Sequence, residues 1–163
     1  MSGSHVTRAG LLLLASLCLP GSATQAAVSS PFAAMAGSWS GGGVLSTTDG
    51  GQERLRCRAT YDVASSGVQL RLNLKCASES YNFDLASEVQ YQGGAISGSW
   101  SEASRNASGS ITGRAAGDHI EAAATGQNFS ANLSLTTRGG RQTVSIRPQG
   151  TSVTAVSIAL ERR

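Results

Sequence analysis

Cys57 and Cys76 stand at matching points of two alternating apolar runs, and that coincidence restricts the fold more than any other feature of the chain. In the run 54–64, Leu55, Cys57, Ala59, Tyr61 and Val63 share one face; in the run 68–76, Val68, Leu70, Leu72, Leu74 and Cys76 do. A turn about Ser66-Gly67 sets Val63 against Leu70, Tyr61 against Leu72, Ala59 against Leu74 and Cys57 against Cys76. The polar face agrees, with Asp62 opposite Arg71 and Arg54 opposite Glu79. A slip of one residue would turn the apolar set outward and separate the cysteines, so parity and cysteine position specify the same register. The expectation is a β-hairpin clipped by a Cys57–Cys76 disulfide, whose closed loop contributes about 3 kcal/mol by the chain-entropy model. A two-residue turn and a four-residue loop over 65–68 both keep this pairing. The longer loop is preferred, because it makes the cysteines a non-hydrogen-bonded pair with closer Cα atoms.

The same alternation continues downstream. Tyr81, Phe83, Leu85, Val89 and Tyr91 lead to Gly93-Gly94, and Ile96, Gly98 and Trp100 return. Ile111, Gly113 and Ala115 lead to Gly117-Asp118, and Ile120, Ala122 and Ala124 return. Phe129, Ala131, Leu133 and Leu135 lead to Gly139-Gly140, followed by Val144 and Ile146, and a last run closes the chain at Val156, Ile158 and Leu160. No long segment sustains helical spacing. With an opening strand at Trp39, the reading is an all-β, antiparallel up-and-down meander of about ten strands joined by short hairpins. An open meander leaves two unpaired edges, so closure into a barrel of about 8 to 10 strands is expected.

Residues 1–26 read as a secretory signal peptide: Arg8 with no acid, a short apolar run from Leu11 to Leu19, Pro20-Gly21, then small residues, with cleavage expected after Ala26. Cys18 ends a lipoprotein-like stretch, but Leu17 stands where a small residue is needed. Residues 27–36 form a lead-in with one helical turn after Pro31, and residues 37–163 a single barrel domain. No stretch reaches the roughly 20 apolar residues of a membrane-spanning helix. An even cysteine pair in an exported chain fits a periplasmic or secreted location. The chain carries a net charge of +3, of which Arg8 belongs to the leader. That excess is too small to argue for nucleic acid.

Chemistry-bearing clusters are sparse. Beyond the leader the chain has one histidine, His119, and no spare cysteine pair, so no metal site or cofactor is expected. Asp118 and His119 are neighbours on a turn and point to different sides, which argues against a catalytic dyad. Asp84 and Glu88 share the polar face and read as solvated, and Gly41-Gly42-Gly43 reads as a barrel bend. No catalytic residue is assigned, and the chain is read as not an enzyme. Arg54, Arg56 and Arg58 alternate on one strand face, and the hairpin register places Arg71 and Lys75 beside them. These five cations are a candidate interaction face, without the interleaved aromatics that nucleic-acid stacking needs. Inside the barrel, Trp39, Tyr61, Leu72, Phe83, Trp100, Gly98, Gly113 and Ala122 are the candidate cavity. Large side chains on the early strands are expected to face small ones on the later strands, leaving two options open: a flattened, filled barrel or a round one with a pocket.

Gly37-Ser38-Trp39, on the first strand of an expected meander barrel, resembles the opening motif of the calycin superfamily, which includes lipocalins and avidin-like proteins. That resemblance implies a tryptophan packed against a basic side chain near the last strand, for which Arg162 and Arg163 are the counterparts here. The stretches Trp39-Ser40-Gly41-Gly42-Gly43, 53–61 and Ile96-Ser97-Gly98-Ser99-Trp100-Ser101-Glu102 are similar to a group of small exported proteins of alphaproteobacteria, which implies compartment and no activity. The functional expectation is a non-catalytic periplasmic barrel for a small apolar or amphipathic ligand. The alternative is a cell-envelope protein-interaction module, such as a hydrolase inhibitor.

Overall fold

The computed structural model describes residues 29–163, so the expected leader lies outside the described residues. A 3-10 turn over Pro31–Met35 precedes ten antiparallel strands: β1 (Gly37–Thr47), β2 (Gln52–Val63), β3 (Gln69–Ala77), β4 (Asn82–Gln92), β5 (Ala95–Glu102), β6 (Ala107–Ala116), β7 (His119–Gly126), β8 (Phe129–Arg138), β9 (Arg141–Gln149) and β10 (Val153–Arg162). Each strand pairs with its sequence neighbours, and β1 pairs with β10 to close the barrel. The helical turn expected after Pro31 is present, capped by Ser30, whose hydroxyl accepts from the Phe32 amide.

The β2–β3 register is the one that the sequence demands, with Cys57 opposite Cys76, Ala59 opposite Leu74, Tyr61 opposite Leu72 and Val63 opposite Leu70. The Ala64 amide donates to the Gln69 carbonyl at 3.0 Å, so the loop is the four-residue one. That choice puts the cysteines on a non-hydrogen-bonded rung, and their Cα atoms approach to 4.1 Å around the disulfide. Val68 lies in that loop and is exposed, and β3 begins at Gln69. One detail differs from expectation. Arg54 does not oppose Glu79: the ladder stops at Arg56 opposite Ala77, and the Ser78 amide donates to the Tyr81 carbonyl to turn the chain into β4. Glu53 holds that turn, accepting from the Ser78 hydroxyl at 2.6 Å and the Ser80 amide at 3.0 Å.

Closure depends on glycine in β1. A Cβ at Gly41 would stand 2.0 Å from the Ala159 carbonyl oxygen, and one at Gly43 would stand 1.9 Å from that of Ser157. β1 therefore meets β10 at a bend that no other residue type fits, which is the barrel corner read from Gly41-Gly42-Gly43.

The ends of the barrel differ. At the end where β1 begins, Trp39, Tyr61, Leu70, Tyr91, Ile96, Ile120 and Leu160 are buried, and Phe32 and Met35 of the 3-10 turn are buried with them. We call this the capped end. The expected opposition of large to small side chains holds for part of the circumference. With ten strands in a ring, β7, bearing Ala122 and Ala124, lies across from β2, bearing Leu55 and Tyr61. The β3 leucines instead lie across from β8, which carries Leu133 and Leu135. In the middle, Gly41 and Gly43 of β1 lie across from β6, which carries Ile111 between Gly109 and Gly113.

Replacing both cysteines (Cys57→Ser with Cys76→Ser) is expected to lower stability by about 3 kcal/mol in urea denaturation. Gly41→Ala is expected to lose about 1–3 kcal/mol with the disulfide intact, because its Cβ meets backbone that cannot withdraw.

Candidate functional site

Burial is uneven around the interior. Along β10, β1 and β2, the inward Leu45, Leu55, Cys57, Val156 and Ile158 are buried. Along β3, β4 and β6 to β9, the inward Leu72, Leu74, Leu85, Ile111, Ala122, Leu133, Leu135, Val144 and Ile146 are partly exposed although the barrel is closed around them. Most of these side chains pack against the buried core without being fully covered by it. Of the residues singled out from the sequence, Leu72, Phe83, Gly98, Gly113 and Ala122 lie on this inward face and are partly exposed.

Trp39 and Tyr61 do other work. Both are at least nineteen-twentieths buried at the capped end, their rings edge-on with centroids 6.3 Å apart. Trp39 Nε1 donates to the Met35 carbonyl at 2.7 Å, which ties the 3-10 turn across the barrel end. Tyr61 donates its hydroxyl to Gln142 Oε1 at 2.5 Å, and Gln142 Nε2 donates to Thr137 Oγ1 at 3.0 Å. Burial pushes the Tyr61 phenol well above its ordinary pKa, so it remains a proton donor at any physiological pH. The Arg162 guanidinium lies 4.8 Å from the Trp39 ring centroid and donates to the Ala34 carbonyl. Of the two basic candidates, Arg162 is the one that covers the tryptophan. Arg163 instead donates to the Ser40 hydroxyl.

Trp100 faces inward near the opposite end and is buried. Its ring meets Phe129 edge-on at 5.3 Å and its Nε1 donates to the Thr125 carbonyl at 3.3 Å. Beside it, Tyr81 and Phe83 stack at 6.5 Å, and the Tyr81 hydroxyl lies 3.4 Å from the Ser152 hydroxyl across the mouth. Arg105 covers Phe83 at 4.9 Å and pairs with Glu102 at 3.4 Å. Glu102 is buried and had no signal in the sequence beyond its place one step past Trp100. Desolvation works to raise its carboxyl, but the amides of Asp84, Ser104 and Arg105 outweigh that and hold it below the ordinary glutamate value. This carboxylate fastens the turn after β5 to β4 at the mouth.

On the outside, Arg71 pairs with Glu88 at 2.9 Å and Lys75 with Asp84 at 3.1 Å. The acids that read as merely solvated thus neutralise two of the five cations. Arg71 faces Asp62 in the ladder as expected, yet its ion pair goes to the other neighbouring strand. Arg54, Arg56 and Arg58 form no ion pair among the described residues. Asp118 pairs with Arg138, whereas His119 sits 2.9 Å from Thr136 Oγ1 through Nδ1 and 2.7 Å from Glu121 Oε1 through Nε2. The two neighbours have separate partners, as their turn position implies. Among the described residues no group of three or more His, Cys, Asp or Glu side chains is placed to hold a metal ion. No described helix is long and apolar enough to cross a membrane.

Glu102→Gln is expected to cost about 2 kcal/mol at neutral pH, the scale of hydrogen bonds to a charged group. Because the folded-state value is lowered, the carboxylate's contribution is complete above about pH 4.5 and disappears as pH falls through the folded-state value. The stability gap between wild type and variant should therefore narrow on acidification in urea melts. Arg162→Ala is expected to lose about 1 kcal/mol, for the ring contact and the bond to Ala34 together.

No family's sequence profile matches the chain. No curated protein matches it in sequence. Solved structures do match in fold. The crystal structure of Rv2717c from M. tuberculosis superposes with a TM-score of 0.64 at 14% identity, covering 80% of this chain and 93% of that one. The S-type phycobiliprotein lyase CPES from Guillardia theta superposes with a TM-score of 0.61 at 10% identity, covering 81% of this chain and 89% of that one. At these identities the likeness is one of fold: the chain is an antiparallel barrel of the same architecture.

Proposed function

We propose that the chain is a binding barrel, exported to the periplasm or beyond, that takes a small and largely apolar molecule into its interior without transforming it. One observation carries the reading. Midway along the barrel, inward residues on β3, β4 and β6 to β9 such as Leu72, Leu85, Ala122, Leu133 and Val144 are only partly buried, whereas Leu45, Leu55, Cys57, Val156 and Ile158 on β10, β1 and β2 are fully buried. A domain that needed its interior only for stability would gain by burying them, at about 25 cal/mol for each Å² removed from water. Capping at one end, with Trp39, Arg162 and the 3-10 turn locked together, directs access to the other. The signal-like leader and the disulfide support export. The calycin resemblance at Gly37-Ser38-Trp39 points the same way, and its expected basic partner is found in Arg162.

A second reading rests on a different observation. Arg54, Arg56 and Arg58 present three cations, unpaired among the described residues, along the outside of β2, a surface suited to an acidic partner in the cell envelope.

Titration with N-phenyl-1-naphthylamine, followed by its fluorescence, separates the two. Saturable enhancement is expected with the wild type. Ala122→Phe, which fills the partly buried side, should weaken binding by about ten-fold or more while the fold is kept. Arg56→Ala should leave the titration unchanged. Absence of saturable binding, or indifference to Ala122→Phe, contradicts the interior reading.

A further inference from the structure

The inward face is almost wholly apolar between its two polar ends. The network of Tyr61, Gln142 and Thr137 lies at the capped end, and Glu102 lies at the mouth with its oxygens already taken by three amides and Arg105. Between them stands one hydroxyl, Ser87, in the middle of β4. Its side chain is inward by parity with Leu85 and Val89, and its ladder neighbours on the two sides are Leu72 and Trp100. The residue is 7% exposed and makes no side-chain hydrogen bond among the described residues. Every wholly inaccessible side-chain nitrogen or oxygen among the described residues is bonded, so the unbonded Ser87 hydroxyl keeps surface open to the interior and an unused hydrogen bond to offer there.

The charges argue about the same space. No charged side chain faces into the middle of the barrel among the described residues: the inward Arg162 lies over Trp39 at the capped end, and the inward Glu53 and Glu102 lie at the other end, each already accepting hydrogen bonds. An ionised group carried deep into the barrel would be desolvated with nothing to pair with.

Resting on the interior-binding reading, we propose that Ser87 is the polar anchor of the site and that the ligand is an uncharged apolar molecule bearing one hydrogen-bonding oxygen along its body. The hydroxyl can donate to a carbonyl or ether, or accept from a ligand hydroxyl. The remaining contacts, from Leu72, Ala122 and their neighbours, supply affinity by burial and little discrimination, while Ser87 fixes orientation.

The test uses a matched set of probes, 2-acetylnaphthalene, 2-ethylnaphthalene and 2-naphthoate, titrated calorimetrically into the wild type, Ser87→Ala and Ser87→Thr. Ser87→Ala is expected to weaken the ketone about five-fold and leave the ethyl compound within about two-fold, with Ser87→Thr restoring ketone binding. Naphthoate is expected to bind the wild type more weakly than the ketone. Equal effects of Ser87→Ala on ketone and hydrocarbon, or tighter binding of naphthoate, would overturn the proposal while leaving an interior site in place. Failure of all three probes to bind the wild type would overturn the interior-binding reading itself.

Discussion

Everything in this barrel depends on β1 being able to pair on both edges. A meander of strands brings its first and last members together only if the sheet curls, and at the β1–β10 seam Gly41 and Gly43 let the β10 backbone approach to within 2.0 Å of the place a side chain would begin. Gly98 and Gly109 do the same for their own neighbours elsewhere in the ring. With β1 paired to β10 and β2 alike, no edge remains to template association with another chain. Gly41 and Gly43 also remove two side chains from the inward face, across from Gly109 and Gly113, which flank Ile111 on β6. The requirement for closure thus also lowers the side-chain volume that β1 contributes to the core.

Stability is distributed accordingly. The disulfide clips β2 to β3 on the packed part of the ring, and the capped end combines aromatic contacts with a buried hydrogen-bond relay from Tyr61 through Gln142 to Thr137. Trp39 links the lead-in to the strands and Arg162 links the last strand to Trp39, so both chain ends of the barrel are fastened at one place. At the mouth the fastening is lighter: one carboxylate, Glu102, holding three amides, and an aromatic pair under Arg105. That asymmetry suits a container with a fixed floor and an adjustable rim.

Much of this architecture was legible from residues. Strict period-two alternation and Gly-containing turns set the strands and their number, and Cys57 opposite Cys76 left one register for the first long hairpin. The pairing of Trp39 with a terminal arginine was legible only through resemblance. What escaped was whatever depends on three-dimensional closure. Glu79 keeps the polar parity opposite Arg54 but falls in a turn, because the ladder ends at Arg56 and Ala77. Large and small strands were set against each other by chain order, yet in a ring of ten the strand across from β3 is β8, which is as large as itself. Gln142, Thr137, Glu102 and Ser87 each occupy an inward position in a polar-rich sequence where nothing local marks them. Their roles follow from who sits across the ladder, which no single strand's sequence contains.

The account's central claim is that the interior is a binding site, and native mass spectrometry of the protein isolated from its natural host, before and after denaturation, tests it most directly. The account predicts a folded species heavier than the polypeptide by one stoichiometric, uncharged small molecule, released on unfolding, with the polypeptide itself lighter by two hydrogens for the Cys57–Cys76 bond. A folded species at the bare polypeptide mass that also fails to take up added apolar probes would contradict it.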